Sequence, residues 1–138
     1  MAKAKKIAQL SFVLPNKVGQ LAAVSEIIAS EKVNIKSLLA RASGNGAEFS
    51  IVTDDNPKAK KALATLGVEI KDAEVVRTEI PDKAGRLRKI AKRLAEAGID
   101  IHSTWATASS GKTTTCLFAT SDNDRAVETI NKKAAKGE

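Results

Sequence analysis

Leu14-Pro15-Asn16-Lys17-Val18-Gly19-Gln20-Leu21 recurs in pattern as Ile80-Pro81-Asp82-Lys83-Ala84-Gly85-Arg86-Leu87. The second copy begins 66 residues after the first, counted from Leu14 to Ile80. Each copy follows an alternating apolar run and precedes a run with helical spacing. The proline ends the strand, and the glycine relieves the backbone at the turn. The helix that follows opens with backbone N–H groups that no earlier turn can satisfy. A strand-to-helix elbow of this kind suits a small anion or carboxylate.

Working outward from the first elbow, Leu10, Phe12 and Leu14 fall on one face and Gln9 and Ser11 on the other, a half-buried strand over 7–14. Downstream, Leu21, Val24 and Ile28 form one helical stripe between Gly19 and Lys32, with Ser25 and Glu31 outside it. Val33, Ile35, Ser37 and Leu39 alternate as a second strand. Ser43-Gly44-Asn45-Gly46 is a hairpin turn, and a third strand covers 48–53. Asp54-Asp55-Asn56-Pro57 opens a second helix, with Asn56 as cap and Pro57 at the first helical position. Ala59, Ala62, Leu63 and Leu66 line its buried face, Gly67 stops it, and residues 68–70 read as a short fourth strand. The order β-α-β-β-α-β is the ferredoxin-like split βαβ arrangement, an antiparallel sheet with both helices on one face.

The second half repeats this order. Val76, Thr78 and Ile80 match Leu10, Phe12 and Leu14; Leu87, Ile90 and Leu94 match Leu21, Val24 and Ile28. Ile99-Asp100-Ile101-His102-Ser103 matches Val33-Asn34-Ile35-Lys36-Ser37, and Ser109-Ser110-Gly111-Lys112 is the second hairpin turn. Leu117 and Phe118 are matched to Ile51 and Val52. One extra residue is placed near Ser121, after which Ala126 and Ile130 match Ala59 and Leu63. The expected fold is therefore α+β, a ferredoxin-like βαββαβ unit present twice, over residues 7–72 and 73–134. The tail from Lys132 to Glu138 is polar and makes a poor strand. The second repeat is thus expected to lack its last strand, leaving the edge at 74–80 open for another chain to pair with.

Composition narrows the function. The chain of 138 residues is 43% hydrophobic and 28% charged. Its aromatic residues are Phe12, Phe49, Phe118 and Trp105, so the core is built from Ile, Leu, Val and Ala. One cysteine, Cys116, allows no internal disulfide, and with one histidine, His102, the chain offers no cysteine cluster or histidine-rich zinc site. No Ser/His/Asp or Cys/His catalytic set is evident, so no catalysis, cofactor or metal is expected. No apolar run approaches the roughly 20 residues of a membrane span. The opening lysines lead into no long apolar segment, which reads as a cytoplasmic protein without a signal peptide. Part of the net charge of +7 falls at Lys3, Lys5 and Lys6 and at Lys132, Lys133 and Lys136, read as frayed, solvated ends.

The duplicated elbow, its helix, and then Val33-Asn34-Ile35 or Ile99-Asp100-Ile101 resemble the ACT domain, a small amino-acid-sensing module of metabolic enzymes. The resemblance covers nearly the whole chain as two tandem units with no catalytic domain attached. It implies paired units joined side by side, first helices and second strands meeting at a seam, with ligand bound against the elbow near that seam. The implied site residues are Asn16, Lys17, Val18, Gly19, Gln20 and Leu21, with Asn34 on the second strand. In the second unit they are Asp82, Lys83, Ala84, Gly85, Arg86 and Leu87, with Asp100.

An amino acid presents a carboxylate, an ammonium and a side chain. The elbow N–H groups suit the carboxylate, helped by the helix dipole. Asn16 and Asn34 can meet the ammonium through their side-chain oxygens, and Asp82 and Asp100 more strongly. Arg86 can take a carboxylate with both arms of its guanidinium. Asn16 and Asp82 equally suit plain turn or cap roles. The second elbow helix also carries Arg86, Arg88, Lys89, Lys92 and Arg93, where the first has no such stripe. The apolar face of the first, with Ala22, Ala23 and Ile27, suits contact with another helix. The expectation is a regulatory module that binds a small amino acid, forms a homodimer and modulates a partner metabolic enzyme allosterically. The alternatives are a ligand-free protein-interaction module or, against its few aromatics, an RNA-binding protein. Trp105 shares the parity of Ile99 and Ile101 and so is expected in the core; His102 is expected on the surface.

Overall fold

The computed structural model describes residues 3–108 and 111–132. In chain order they form β1 (Lys3–Pro15), α1 (Gln20–Ser30), β2 (Ile35–Ser43), β3 (Gly46–Thr53), α2 (Asn56–Leu63), a 3-10 turn (Ala64–Leu66), β4 (Lys71–Pro81), α3 (Arg86–Glu96), β5 (Ile101–Ala108), β6 (Thr113–Thr120) and α4 (Asn123–Asn131). The fold is α+β, and the pairs β1–β3, β2–β3, β4–β6 and β5–β6 are antiparallel. The chain divides into two compact units. One runs from Ala8 to Ala73; the other takes the described residues from Glu74 onward together with Lys3–Ile7.

In the first unit the strands lie in the order β2-β3-β1-β4, the last supplied by the start of β4. Leu10, Phe12 and Leu14 stand opposite Ile51, Phe49 and Ala47. Val24 and Ile28 from α1, and Ala59 and Leu63 from α2, close the core over them. The rings of Phe12 and Phe49 stack with centroids 5.1 Å apart and planes within 3°. Burying each such Leu, Ile or Val contributes about 1.5–3 kcal/mol. The expected short strand at 68–70 is not formed: β4 begins at Lys71, and Val68 and Ile70 serve the core from irregular backbone.

The second unit corrects the expected open edge. No described residue after α4 forms a strand, and the tail at 133–138 lies outside the described residues. The edge is nonetheless occupied, because the start of β1 neighbours β4 in the order β1-β4-β6-β5. Ala4 is buried in the second core, which is built on Val76, Ile80, Ile90, Leu94, Cys116 and Phe118. Lys6 pairs with Glu74 at 3.6 Å and with Asp124. The lysines at 3, 5 and 6 are thus strand residues rather than frayed ends. The sequence reading failed here because a strand can precede, in chain order, the unit it completes.

Three further corrections come from register. Phe12 opposes Phe49 and Thr78 opposes Cys116, so Cys116, not Leu117 or Phe118, takes the place of a residue two before Ile51. Val76 opposes Phe118 as Leu10 opposes Ile51, which makes Phe118 the counterpart of Ile51. The extra residue of the second repeat therefore enters before β6, in the hairpin whose Ser109 and Ser110 lie outside the described residues, and not near Ser121. A register shift between Ile35 and Ser37 turns Leu38, opposite Ile51, to the helix-covered face that Leu39 was expected to share. A matching shift between Ile101 and Ser103 puts Trp105 opposite Leu117, away from Cys116 and Phe118, so it is half-buried outside the second core. An inserted residue in a strand reverses side-chain parity, which alternation alone does not reveal.

Asn56 is not the helix cap. Asp55 is: its carboxylate accepts from Lys58 N at 3.2 Å, and Pro57 sits one position further in than expected. Asn56 instead accepts from Thr53 N (2.9 Å) and Thr53 Oγ1 (2.7 Å) and donates to Ala8 O (2.9 Å). The second unit repeats the arrangement. Asp122 caps α4, and Asn123 accepts from Thr120 N and Oγ1 while donating to Glu74 O.

Candidate functional site

Both elbows are built alike. Asn16 N donates to Asn45 O at 2.8 Å, and Asp82 N to Lys112 O at 2.9 Å, tying each elbow to the tip of its hairpin. Gly19 (φ +92°) and Gly85 (φ +85°) begin α1 and α3 in the left-handed region that favours glycine. Neither helix has a side-chain cap, and neither has an acidic residue in its first turn. Their first turns thus carry no side-chain cap at the positive end of the helix dipole.

The elbows differ in how their backbone N–H groups are bonded. In the second, Lys83 N donates to Pro81 O at 2.9 Å and Arg86 N to Lys83 O at 3.3 Å. The first makes neither bond. There the Gln20 side chain donates to Pro15 O at 2.7 Å, and the backbone N–H groups of Lys17 and Gln20 have no hydrogen-bond partner among the described residues. Asn16, Lys17 and Val18 are exposed, Val18 completely, and Leu21 is 50% exposed beside them. Asp82, Lys83 and Ala84 are likewise exposed, with Leu87 at 52%.

Asn34 and Asp100 stand elsewhere in their own units. Asn34 precedes β2 at the C-terminal end of α1, whose 11 residues rise about 16 Å from the elbow. Its backbone exchanges two 3.0 Å hydrogen bonds with Asp54, through Asp54 Oδ1 and Asp54 N. Asp100 is held the same way by Ser121, and its carboxylate lies 3.5 Å from the exposed His102. One unit alone thus does not bring Asn16 to Asn34, or Asp82 to Asp100.

The lateral edge of the first unit is β2. Its residues Leu38, Ala40 and Ala42 are exposed on the face that α1 covers. The register shift hid Leu38 from the sequence reading. Away from the elbow, Ala8, Asn56, Pro57, Lys60, Ala64 and Asp72 line a groove of about 610 Å³, crossed by a Lys60–Asp72 pair at 2.5 Å. Among the described residues no group of acidic, Cys or His side chains is placed to hold a metal. No helix among them is long and apolar enough to cross a membrane.

Residues 8–71 match the ACT domain. That span coincides closely with the first compact unit, elbow included. The whole chain is similar in structure to protein BT0572 of Bacteroides thetaiotaomicron, with 26% identity, a TM-score of 0.86, and coverage of 94% of this chain and 89% of that one. It also resembles the ligand-free regulatory subunit of aspartate kinase from Thermus thermophilus, at 13% identity and a TM-score of 0.66, covering 94% and 95%. The Thermus flavus counterpart matches at 16% identity and a TM-score of 0.60, with the same coverage. These aspartate kinase likenesses establish the fold. No curated protein matches the sequence.

Proposed function

We propose that this chain is a non-catalytic, cytoplasmic regulatory module of two tandem ACT-type domains, residues 7–72 and 73–134, the second completed by the start of β1. It binds a small amino acid and shifts the activity of a partner enzyme. The observation that carries the reading is the first elbow: it lies within the ACT match and leaves an uncapped helix start open at the surface. A regulatory subunit of aspartate kinase is built on the same fold, which supports regulation by analogy.

The first elbow is the stronger ligand site, because its Lys17 and Gln20 N–H groups have no partner among the described residues, where those of Lys83 and Arg86 are used internally. Two copies of the chain meet side by side along α1 and β2, in opposite directions. Asn16 of one copy then faces Asn34 of the other, a pairing that their separation within one unit supports. Exposed Val18, Leu21 and Leu38 supply the apolar part of that seam. The ligand favours the paired arrangement, and this population shift is the signal.

Titration calorimetry against a panel of amino acids, with light scattering for the mass of the particle, tests the reading. Saturable binding by a dimer, weakened by Asn16→Ala and by Asn34→Ala alike, is the expected result. A monomer, or no heat with any amino acid, would leave a ligand-free interaction module.

A further inference from the structure

The internal repeat provides its own control for what the fold requires. At matching positions α1 carries Gln20, Ala22, Ala23, Glu26 and Ile27, and α3 carries Arg86, Arg88, Lys89, Lys92 and Arg93. Both helices bury the same two positions, Val24 and Ile28 in one and Ile90 and Leu94 in the other. Burying that apolar pair therefore does not need the cations.

Arg93 has a structural use, donating to Ile130 O and Lys132 O at 3.2 and 2.8 Å beyond the end of α4. Lys92 has a loose pair with Glu96 at 3.9 Å. Among the described residues, Lys83, Arg86, Arg88, Lys89 and Lys112 form no ion pair. The bond from Asp82 N to Lys112 O places Lys112 beside the elbow with Lys83. Arg86, Arg88 and Lys89 stand in the first turn of α3, at its positive end, with no acidic residue there to offset them. Arg88 and Lys92, and Lys89 and Arg93, are like charges four apart. Both arrangements disfavour the isolated helix by a few tenths of a kcal/mol each. An anionic partner relieves both.

We propose that this end of α3 is a docking surface for an acidic segment of a partner protein. Leu87 favours a protein over a nucleic acid, because here an exposed leucine stands among cations, as the equally exposed Leu21 of the first unit does not. It is 52% exposed between Arg86 and Arg88, one turn from the exposed Ala84. An exposed apolar side chain with arginines on either side in the sequence has the composition of a protein interface. A phosphate backbone has no use for it, and the aromatic residues that would stack on bases are buried or half-buried. The surface stands independently of amino-acid binding at the first elbow.

The test is fluorescence anisotropy on the full chain with three labelled probes: a peptide of Glu and Leu, a Glu-only peptide of equal charge, and a short DNA duplex. No amino acid is added, so failure of the sensing reading leaves the result unaffected. The Glu/Leu peptide should bind more tightly than either other probe. Arg88→Glu with Lys92→Glu should weaken it about tenfold, and Leu87→Ala should remove its advantage over the Glu-only peptide. These positions are exposed, and an unchanged thermal midpoint checks that the variants fold. Tighter binding of the duplex, no saturable binding of the Glu/Leu peptide, or indifference to the double charge reversal would overturn the proposal.

Discussion

Asn131 grips Ala4 with both ends of its amide: Oδ1 accepts from Ala4 N at 2.7 Å and Nδ2 donates to Ala4 O at 2.8 Å, across 127 residues of sequence. This two-way clip imitates a neighbouring strand and holds the start of β1 against the unit formed from Glu74 onward. Asn131→Ala should cost about 1–3 kcal/mol, because two polar backbone groups lose their partner in a partly buried place. Urea unfolding measures it. A chain lacking residues 1–6 should lose more, and the bared edge should make it self-associate in size-exclusion chromatography.

Asn123 joins β6 to β4 as Asn56 joins β3 to β1, through Thr120 and Glu74 in one case and Thr53 and Ala8 in the other. The Asn56 amide makes three hydrogen bonds and that of Asn123 four, the fourth a long 3.4 Å contact to Glu74 Oε1. Asn56→Ala and Asn123→Ala should each destabilise by about 2–3 kcal/mol. Asn56→Asp keeps the two accepted bonds and loses the donated one, so it should cost less. Equal losses for both substitutions at position 56 would show that the bonds to Thr53 contribute nothing.

The α+β class and most of the strands and helices are legible because strand and helix periods are local properties of the chain. The duplicated elbow stands out for the same reason, since proline, glycine and a leading leucine act within eight residues. What was illegible is non-local. Nothing in Lys3-Ala4-Lys5-Lys6 says that it completes a sheet begun at Glu74. The shifts after Ile35 and Ile101 leave no sequence mark, yet they exchange the faces of Leu38 and Trp105. The separation of Asn16 from Asn34 likewise appears only once α1 has a direction.

Lys32 ends α1 in the left-handed conformation, φ 59°, where Gly98 ends α3 at φ 72°. The hydrogen bonds agree: Val33 N reaches Ile28 O, and Ile99 N reaches Leu94 O. A side chain costs about 1 kcal/mol in this conformation, so Lys32→Gly should stabilise the protein by roughly that amount and Gly98→Lys should destabilise it similarly. A rise in the thermal midpoint for the first and a fall for the second are the expected readings. Open space around a Cβ at Gly98 means that backbone strain alone sets the difference.

Thr78 and Cys116 occupy the places that Phe12 and Phe49 fill in the first unit. Thr78 is wholly buried, and its hydroxyl has no hydrogen-bond partner among the described residues. Thr78→Val keeps the shape and removes the stranded hydroxyl, so it should stabilise by about 1 kcal/mol. A loss of stability instead would mean that the hydroxyl is satisfied, by an internal water for example.

Burial also pushes the Cys116 thiol above its ordinary pKa of 9.0. The unfolded chain releases this proton near the ordinary value, and the folded chain holds it to higher pH. Between those two values the native state binds more protons, so stability falls as pH rises. Lys6 acts in the same direction from about 10.5 upward, its pKa raised first by the hydrogen bond to Asp124 and then by the charges of Asp124 and Glu74. Urea unfolding from neutral pH to about pH 11 should therefore show a stability that is level at first and falls once the pH passes about 9. Cys116→Ala lowers stability at every pH through the cavity it leaves, but it should flatten the slope above the thiol's ordinary pKa. Parallel slopes for the two proteins would mean that the thiol ionises as freely in the folded chain as in the unfolded one.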